Sequence, residues 1–295
     1  MIWFLLMLLL LAALLGVLYL YCILPALPVR SPGQRLRVLF AHRGLWDVRC
    51  PENSMPAFRR AVQHGFGIEL DVQPRQDGEL MVFHDESLER MCGVRKPLSR
   101  CSEHDLWDIR LGDSDCAIPT LAQVLEEVQG KVPLMVEIKP CRHVEDVCCR
   151  ADELLKQYPG LYCVESFDPR VLRWFRRHRP QVYRGQLTLG IASPWHRNFT
   201  WRDLLCGSLL QNLISRPDFI AYDSRTANRL PLRLVRLFHP VMVAWNVQSE
   251  EELRMALITC ETAIFDSFLP ASPSAADCAA PQDGESAMNH DQFPD

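Results

Sequence analysis

Short apolar runs alternate with longer amphipathic stretches over most of the chain. Side chains alternate between the two faces of a strand and recur every 3.6 residues in a helix, so the two patterns predict different elements. The apolar runs predict strands over 37–41, 67–73, 80–84, 133–138, 161–166, 183–189, 218–223, 241–247 and 263–266. The amphipathic stretches predict helices over 53–64, 120–128, 144–158, 169–179, 204–214, 230–238 and 249–257.

Strands that alternate with helices are typical of an α/β fold with a parallel sheet. About eight of these strands alternate with the seven helices over roughly 235 residues, which is the size typical of a (β/α)8 barrel. We therefore predict a (β/α)8 TIM barrel, with a doubly wound open sheet as the alternative. No G-x-G-x-x-G or Walker sequence is present to support nucleotide binding by such a sheet. Residues 86–118 follow neither period, and we expect an irregular, polar excursion there.

The chain begins with an apolar segment, residues 2–27, that contains no charged side chain. A helix of this length is sufficient to cross a hydrocarbon core of about 30 Å. A cleavable signal sequence is the alternative, but no basic residue precedes the apolar run. Arg30, Arg35 and Arg37 follow it, and no acidic residue occurs before Asp47. The positive-inside rule then predicts a single-pass membrane protein whose C-terminal domain lies in the cytoplasm.

Composition divides the chain into four segments. We predict a transmembrane anchor over 1–27, a linker over 28–36, a barrel over 37–269 and a disordered acidic tail over 270–295. The net charge of -4 over 295 residues does not indicate the excess of basic residues that is typical of nucleic-acid-binding proteins. The twelve cysteines include no C-x-x-C pair, so they predict free thiols rather than a zinc site or a disulfide framework.

Two carboxylates occur on one predicted strand, Glu69 and Asp71. Their spacing places both side chains on one face, where like charges require a cation between them or must share a proton. Paired carboxylate oxygens suit Mg²⁺ or Ca²⁺, and His84 at the end of the next strand suggests proton transfer. The alternative is a half-exposed edge strand whose acids face water.

Further polar residues occur at predicted strand ends, where barrel enzymes carry their working groups. They are His42, Arg43, Glu137 and Lys139. Three carboxylates, two histidines and two cations suit the hydrolysis of a phosphate ester. A metal held by Glu69, Asp71 and Glu137 would polarise the phosphoryl group, Arg43 and Lys139 would contact its oxygens, and His42 and His84 would act as base and acid. Taken singly, Arg43 and Lys139 could instead be salt-bridge partners, and His84 a core histidine.

Together these residues resemble the glycerophosphodiester phosphodiesterase family, in order and spacing, from about residue 39 to residue 266. The resemblance rests on His42-Arg43-Gly44, Pro51-Glu52-Asn53-Ser54, Glu69-x-Asp71, His84-Asp85, Pro119-Thr120-Leu121 and Glu137-Ile138-Lys139. It implies a TIM barrel that uses a divalent metal to hydrolyse glycerophosphodiesters to glycerol 3-phosphate and an alcohol.

By the same resemblance the metal ligands are Glu69, Asp71 and Glu137, the acid-base pair is His42 and His84, and Arg43 and Lys139 bind the phosphate. Trp245 would line the substrate pocket. The chain departs from the family pattern at Asn246, where a small hydroxyl residue is usual. It departs again at Asp266-Ser267-Phe268, where Asp-x-Pro is commoner.

The expected function is therefore that of a membrane-anchored, metal-dependent phosphodiesterase. A second hypothesis is a lysophospholipase D at the membrane surface, because the tryptophan-containing segment 191–216 could dock on lipid. On the other interpretation, Leu204–Ile214 is an ordinary barrel helix. A third hypothesis is a catalytically dead barrel kept as a binding module.

Overall fold

A computed structural model describes residues 1–31, 33–189 and 201–275. The strands are β1 Phe40–His42, β2 Gly67–Pro74, β3 Leu80–Val82, β4 Leu134–Ile138, β5 Tyr162–Ser166, β6 Tyr183–Thr188, β7 Phe219–Asp223, β8 Val241–Val247 and β9 Thr262–Phe265. The helices are α1 Ile2–Ile23, α2 Met55–His64, α3 Glu89–Cys92, α4 Glu103–Leu106, α5 Leu121–Val128, α6 Val144–Leu155, α7 Pro169–His178, α8 Trp201–Gly207, α9 Asn212–Ser215, α10 Leu230–Val235 and α11 Glu250–Leu257.

The strands form a closed parallel barrel, as predicted. β1 pairs in parallel with β2 on one side and with β9 on the other, which closes the sheet. The alternative of an open, doubly wound sheet is therefore wrong. β3 lies outside the ring of eight parallel strands because it pairs antiparallel with the carboxyl end of β2. This short hairpin carries the chain past the mouth of the barrel toward His84.

Alternation along β2 decides which side chains reach the barrel interior. Ile68, Leu70 and Val72 are fully buried in the apolar layer between the strands and the surrounding helices. Glu69 and Asp71 therefore point into the barrel, where they are 2% and 1% exposed. The alternative that these acids lie on a solvated edge strand is wrong. Lower in the barrel the interior is filled by apolar side chains that include Phe40, Met135 and Phe219.

Several helices begin at residues of the types that are typical N-caps. Ser54, Thr120, Asp168 and Ser249 each accept a hydrogen bond from a backbone N–H in the first turn of the helix that follows. Two helices differ from the prediction. α6 ends at Leu155 rather than near 158, and the predicted helix over 204–214 is two short helices, α8 and α9, separated by a turn in which Leu209 has a φ of 60°. A left-handed residue cannot continue an α-helix, which explains the break.

The excursion over 86–118 is irregular, as expected, but it is not simply polar. Its apolar side chains form a separate small core with residues of β3, composed of Met81, Phe83, Leu88, Leu98, Cys101, Leu106, Leu111 and Ile118. The expectation of a polar segment was wrong because these apolar residues are too widely and unevenly spaced to produce a periodic signal. The small core holds the segment over one edge of the barrel mouth.

α1 is long and apolar enough to cross a membrane, although a signal sequence near an N-terminus meets the same criterion. Its last residue, Ile23, is fully buried against the barrel. The boundaries of anchor, linker, barrel and tail stay predictions. Residues 276–295 of the predicted disordered tail, 270–295, lie outside the described residues, as do residues 191–200 of the tryptophan-containing segment.

Candidate active site

Polar side chains gather inside the barrel near the carboxyl ends of four strands. Strand register pairs His42 with Glu69, Asp71 with Glu137, and Glu137 with Glu165. Residues paired across parallel strands point to the same side of the sheet, so all five enter the barrel lumen. Active sites of this fold lie at this end.

Three carboxylates form the centre of the site. One oxygen from each of Glu69, Asp71 and Glu137 lies within 4.8 Å of the others, and all three residues are buried. Glu137 Oε1 has no hydrogen-bond partner, which is costly for a buried oxygen. A hard divalent cation would satisfy such oxygens, so these residues fit Mg²⁺ or Ca²⁺.

Burial and mutual repulsion perturb the pKa values of this cluster. Burial raises the pKa of Glu69 well above its usual value, and the charges of Asp71, Glu165 and Glu137 raise it further. Burial likewise raises the pKa of Glu137 to about 7 against the opposing charge of Lys139. Burial also acts to raise the pKa of Asp71, but Lys139 and Arg43 outweigh it and lower that pKa. Asp71 is therefore the carboxylate that stays ionised.

Two cations lie against this carboxylate cluster. Lys139 Nζ is 2.7 Å from Asp71 Oδ1 and 2.9 Å from Glu137 Oε2. Arg43 Nε is 3.3 Å from Asp71 Oδ2, and the Arg43 backbone N–H donates to Glu69 Oε2 at 3.0 Å. Both cations are thus salt-bridge partners, and the same contacts place them where they could bind a phosphate.

His42 is oriented by Asp266. His42 Nδ1 lies 3.1 Å from Asp266 Oδ2, and the side-chain amide of Asn246 is 3.1 Å from the same nitrogen. Burial acts to raise the pKa of Asp266, but its hydrogen bond to His42 and the His42 charge lower it overall. An ionised Asp266 favours a proton on Nδ1 and leaves Nε2 as the nitrogen that can exchange a proton with a ligand.

His84 has a similar carboxylate partner. His84 Nδ1 is 2.6 Å from Asp85 Oδ1, and Arg90 Nε donates to Asp85 Oδ2 at 2.5 Å. Burial lowers the pKa of His84 below its usual value, although the charge of Asp71 opposes that effect. The imidazole is therefore not an isolated core histidine, and its role as an acid or base stays a prediction.

Glu52 links Arg43, which lies against the carboxylate cluster, to Arg90, which contacts Asp85. It accepts a hydrogen bond from Arg43 at 2.7 Å and from Arg90 at 2.6 Å, so one carboxylate holds the guanidinium groups of both residues. Asn53 Nδ2 donates to Asp71 Oδ2 at 2.8 Å. Glu52 and Asn53 both belong to the Pro51–Ser54 motif, but the sequence alone did not predict a role for either residue.

The sequence did not predict that Glu165 and Arg90 belong to this group of polar residues. It also did not predict that Asp266 is the partner of His42. Glu165 is 1% exposed, and its Oε2 has no hydrogen-bond partner. Its position in the apolar run of β5 was a usable signal, since an acid in such a run must face a polar interior. Asp266 left no local signal, because His42 is 224 residues away. Arg90 pairs with Asp85 five residues away, but its other partner, Glu52, is 38 residues away.

The indole of Trp245 packs edge-on against Phe167, with 6.0 Å between ring centroids. Its Nε1 is buried without a hydrogen-bond partner. A donor of this kind is suited to a ligand, but the assignment of Trp245 to substrate binding stays a prediction.

Comparison with known proteins agrees with this geometry. A sequence profile of the glycerophosphoryl diester phosphodiesterase family matches residues 42–267. A glycerophosphodiester phosphodiesterase of Caldanaerobacter subterraneus is 34% identical over 175 residues, which cover 54% of this chain and 70% of that protein. Human glycerophosphodiester phosphodiesterase 1 is 29% identical over 195 residues, covering 59% of this chain and 54% of the human protein.

Solved structures show the same fold. A phosphodiesterase from Oleispira antarctica, in complex with the product sn-glycerol-3-phosphate, superposes with a TM-score of 0.64 and 21% identity. The superposition covers 78% of this chain and 93% of that one. A glycerophosphodiester phosphodiesterase from Thermotoga maritima gives a TM-score of 0.59 and 22% identity over 77% and 93% of the two chains. The chain belongs to the glycerophosphoryl diester phosphodiesterase family.

Proposed function

We propose that this protein hydrolyses glycerophosphodiesters to glycerol 3-phosphate and an alcohol, with a divalent metal and two histidines as acid and base. The observation that carries the proposal is one arrangement of side chains. Two imidazoles, each held by its own carboxylate, lie beside three buried carboxylates at the mouth of the barrel. General acid-base catalysis requires oriented imidazoles of this kind.

Charge balance supports a metal. The carboxylates of Glu69, Asp71 and Glu137 carry three negative charges when ionised, and Arg43 and Lys139 supply two positive ones. A phosphodiester is itself an anion, so a site in which all three carboxylates are ionised would repel it. A divalent cation held by Glu69, Asp71 and Glu137 would reverse the sign of the site and would supply the positive charge that polarises the phosphoryl group. Either Mg²⁺ or Ca²⁺ suits the all-oxygen ligand set.

The side chains then have separate tasks. Arg43 and Lys139 contact the phosphate oxygens and stabilise the charge that develops on them. One of His42 and His84 accepts the proton of the attacking hydroxyl group, and the other donates a proton to the departing alcohol as its P–O bond breaks. The attacking group is either water or the neighbouring glycerol hydroxyl, and both routes use the same pair of histidines.

The activity is tested with the full chain in detergent, with glycerophosphocholine as substrate and release of glycerol 3-phosphate as the readout. We expect turnover with Mg²⁺ or Ca²⁺ and none with excess chelator. His42→Ala should lower kcat by about 10²- to 10⁴-fold. His104→Ala is the matched control, because His104 lies on the exposed face of α4. Wild-type turnover by His42→Ala would contradict the assigned role.

We further propose that α1 anchors the protein in a membrane, with the barrel on the cytoplasmic side. The length and composition of α1 and the arginines after it support this orientation. Protease accessibility in sealed membrane vesicles tests it, since a cytoplasmic barrel must be digested from that side only.

Lysophospholipids are the second candidate substrate class. The favouring observation is that the last turn of α1 packs on the barrel, which would keep the active-site domain close to the bilayer. Turnover on lysophosphatidylcholine that exceeds turnover on glycerophosphocholine would select this alternative.

A further inference from the structure

A group of arginines lies on the outside of the barrel, away from the active site. Arg173, Arg176 and Arg177 occupy positions i, i+3 and i+4 of α7 and therefore share one helix face. Arg216 follows α9, which packs against α7. Arg173 and Arg177 are exposed, while Arg176 and Arg216 are half-buried. We call these four residues the basic surface.

The basic surface differs from the other arginines nearby because it has no acidic partner among the described residues. In the described part of the chain, Arg170 pairs with Asp168 and Arg179 with Asp152, both at the ends of α7. None of the four basic-surface arginines forms an ion pair within that same part. Burial lowers the pKa of Arg176, and the charges of Arg216, Arg173 and Arg177 lower it further. The guanidinium groups of Arg173, Arg177 and Arg216 are thus close enough to Arg176 to repel it.

Arg216 connects the basic surface to the end of α1. Its Nη1 donates to Tyr21 O at 2.8 Å and to Leu24 O at 3.0 Å, and its guanidinium lies 4.7 Å from the centre of the Tyr21 ring. Asn212, which is fully buried, donates from Nδ2 to Ile23 O at 2.9 Å. The basic surface therefore begins where the apolar helix ends.

Two further contacts fix the position of α1 relative to this surface. Tyr19 donates its hydroxyl proton to Ser208 O at 2.9 Å, and the Ala26 N–H donates to Pro217 O at 2.8 Å. The neighbouring side chains of Leu213 and Ile214 on α9 are apolar and 44% and 40% exposed. Exposed apolar side chains beside uncompensated arginines match the boundary between acyl chains and headgroups.

We propose that the basic surface binds the anionic phospholipid headgroups of the leaflet from which the carboxyl end of α1 emerges. The inference rests on the proposed role of α1 as a membrane anchor. A lipid surface is favoured over a protein or nucleic-acid partner, because the basic surface is continuous with the end of the candidate span. Juxtamembrane arginines within a Debye length of an anionic leaflet are attracted to it.

The test measures arginine modification by phenylglyoxal in the full chain, mapped by mass spectrometry after reconstitution into nanodiscs. One sample contains phosphatidylcholine alone, and the other contains about 20% phosphatidylserine, a composition chosen to resemble a cytoplasmic leaflet. We expect Arg173 and Arg177 to react at least about threefold more slowly with phosphatidylserine present, with the difference lost at high salt. Arg95 and Arg110 are internal controls, because both are exposed and lie in the 86–118 excursion.

Each outcome supports or overturns the inference. Equal modification rates in the two lipid compositions would overturn it. Slowing of the controls Arg95 and Arg110 to the same extent as Arg173 and Arg177 would overturn it too. Slowing by inorganic phosphate in phosphatidylcholine nanodiscs would show a free-anion site instead of a lipid surface. A chain that does not incorporate into nanodiscs would refute the anchor, whereas equal rates in an incorporated chain refute only the headgroup surface. Glycerophosphocholine hydrolysis on the same samples reports separately on the catalytic proposal.

Discussion

Replacing Glu137 by glutamine should abolish hydrolysis and yet stabilise the metal-free protein. Burial raises the pKa of Glu137 from 4.5 to about 7. The folded state therefore binds this proton more tightly than the unfolded state does, so the free energy of unfolding falls as pH rises from about 4.5 to about 7. A shift of this size corresponds to about 3 kcal/mol of lost stability above pH 7. Glutamine keeps the shape and removes the charge.

We expect Glu137→Gln to match the wild type in stability near pH 4.5 and to exceed it by about 3 kcal/mol at pH 8. For a domain of this size the difference corresponds to a Tm higher by about 6 to 12 °C. Lys139 remains paired with Asp71 in the variant, so no cation is left alone. Mg²⁺ at about 1,000 times its Kd should reverse the order, because a ligand at that concentration adds about 4.1 kcal/mol to the protein that binds it.

The assay is thermal unfolding of the full chain in detergent, followed by circular dichroism at pH 5 and pH 8, with chelator or with Mg²⁺. Glu126→Gln is the matched control, because Glu126 is exposed on α5 and its replacement should leave Tm unchanged. Equal Tm values for wild type and Glu137→Gln at both pH values without metal would refute the reasoning. So would a variant that is stabilised as strongly by Mg²⁺ as the wild type.

Three further substitutions test the rest of the structure. Asp266→Asn should lower kcat by about 10²-fold or more with little change in KM, because His42 loses the carboxylate that orients its proton; a changed KM alone would contradict this role. Arg90→Gln should lower kcat less, because Glu52 and Asp85 lose a shared donor, and unchanged kinetics would show that this network is dispensable. Gly185→Ala should destabilise the barrel by about 1–3 kcal/mol in chemical denaturation, because the added Cβ would stand 2.0 Å from Phe219 Cε2; wild-type stability would contradict this packing.

Much of the barrel followed from local pattern. The alternation of apolar and polar residues along β2 placed Glu69 and Asp71 on one face, and Ser54, Thr120, Asp168 and Ser249 marked helix starts. The missed break between α8 and α9 has a different cause. The apolar run from Leu204 to Ile214 is compatible with one helix, and its single glycine, Gly207, lies two residues before the left-handed position, which is occupied by Leu209.

By itself the sequence determined the residue types of the site and the strand ends on which they lie, because side-chain alternation and capping act over a few residues. Only the tertiary structure decided which of those residues are partners. The pairing of Asp266 with His42 spans 224 residues. The sharing of Glu52 by Arg43 and Arg90, and the docking of α1 on α9, likewise join segments that are distant in the chain. Such contacts depend on how the barrel closes, and closure depends on the packing of the whole chain rather than on any one segment.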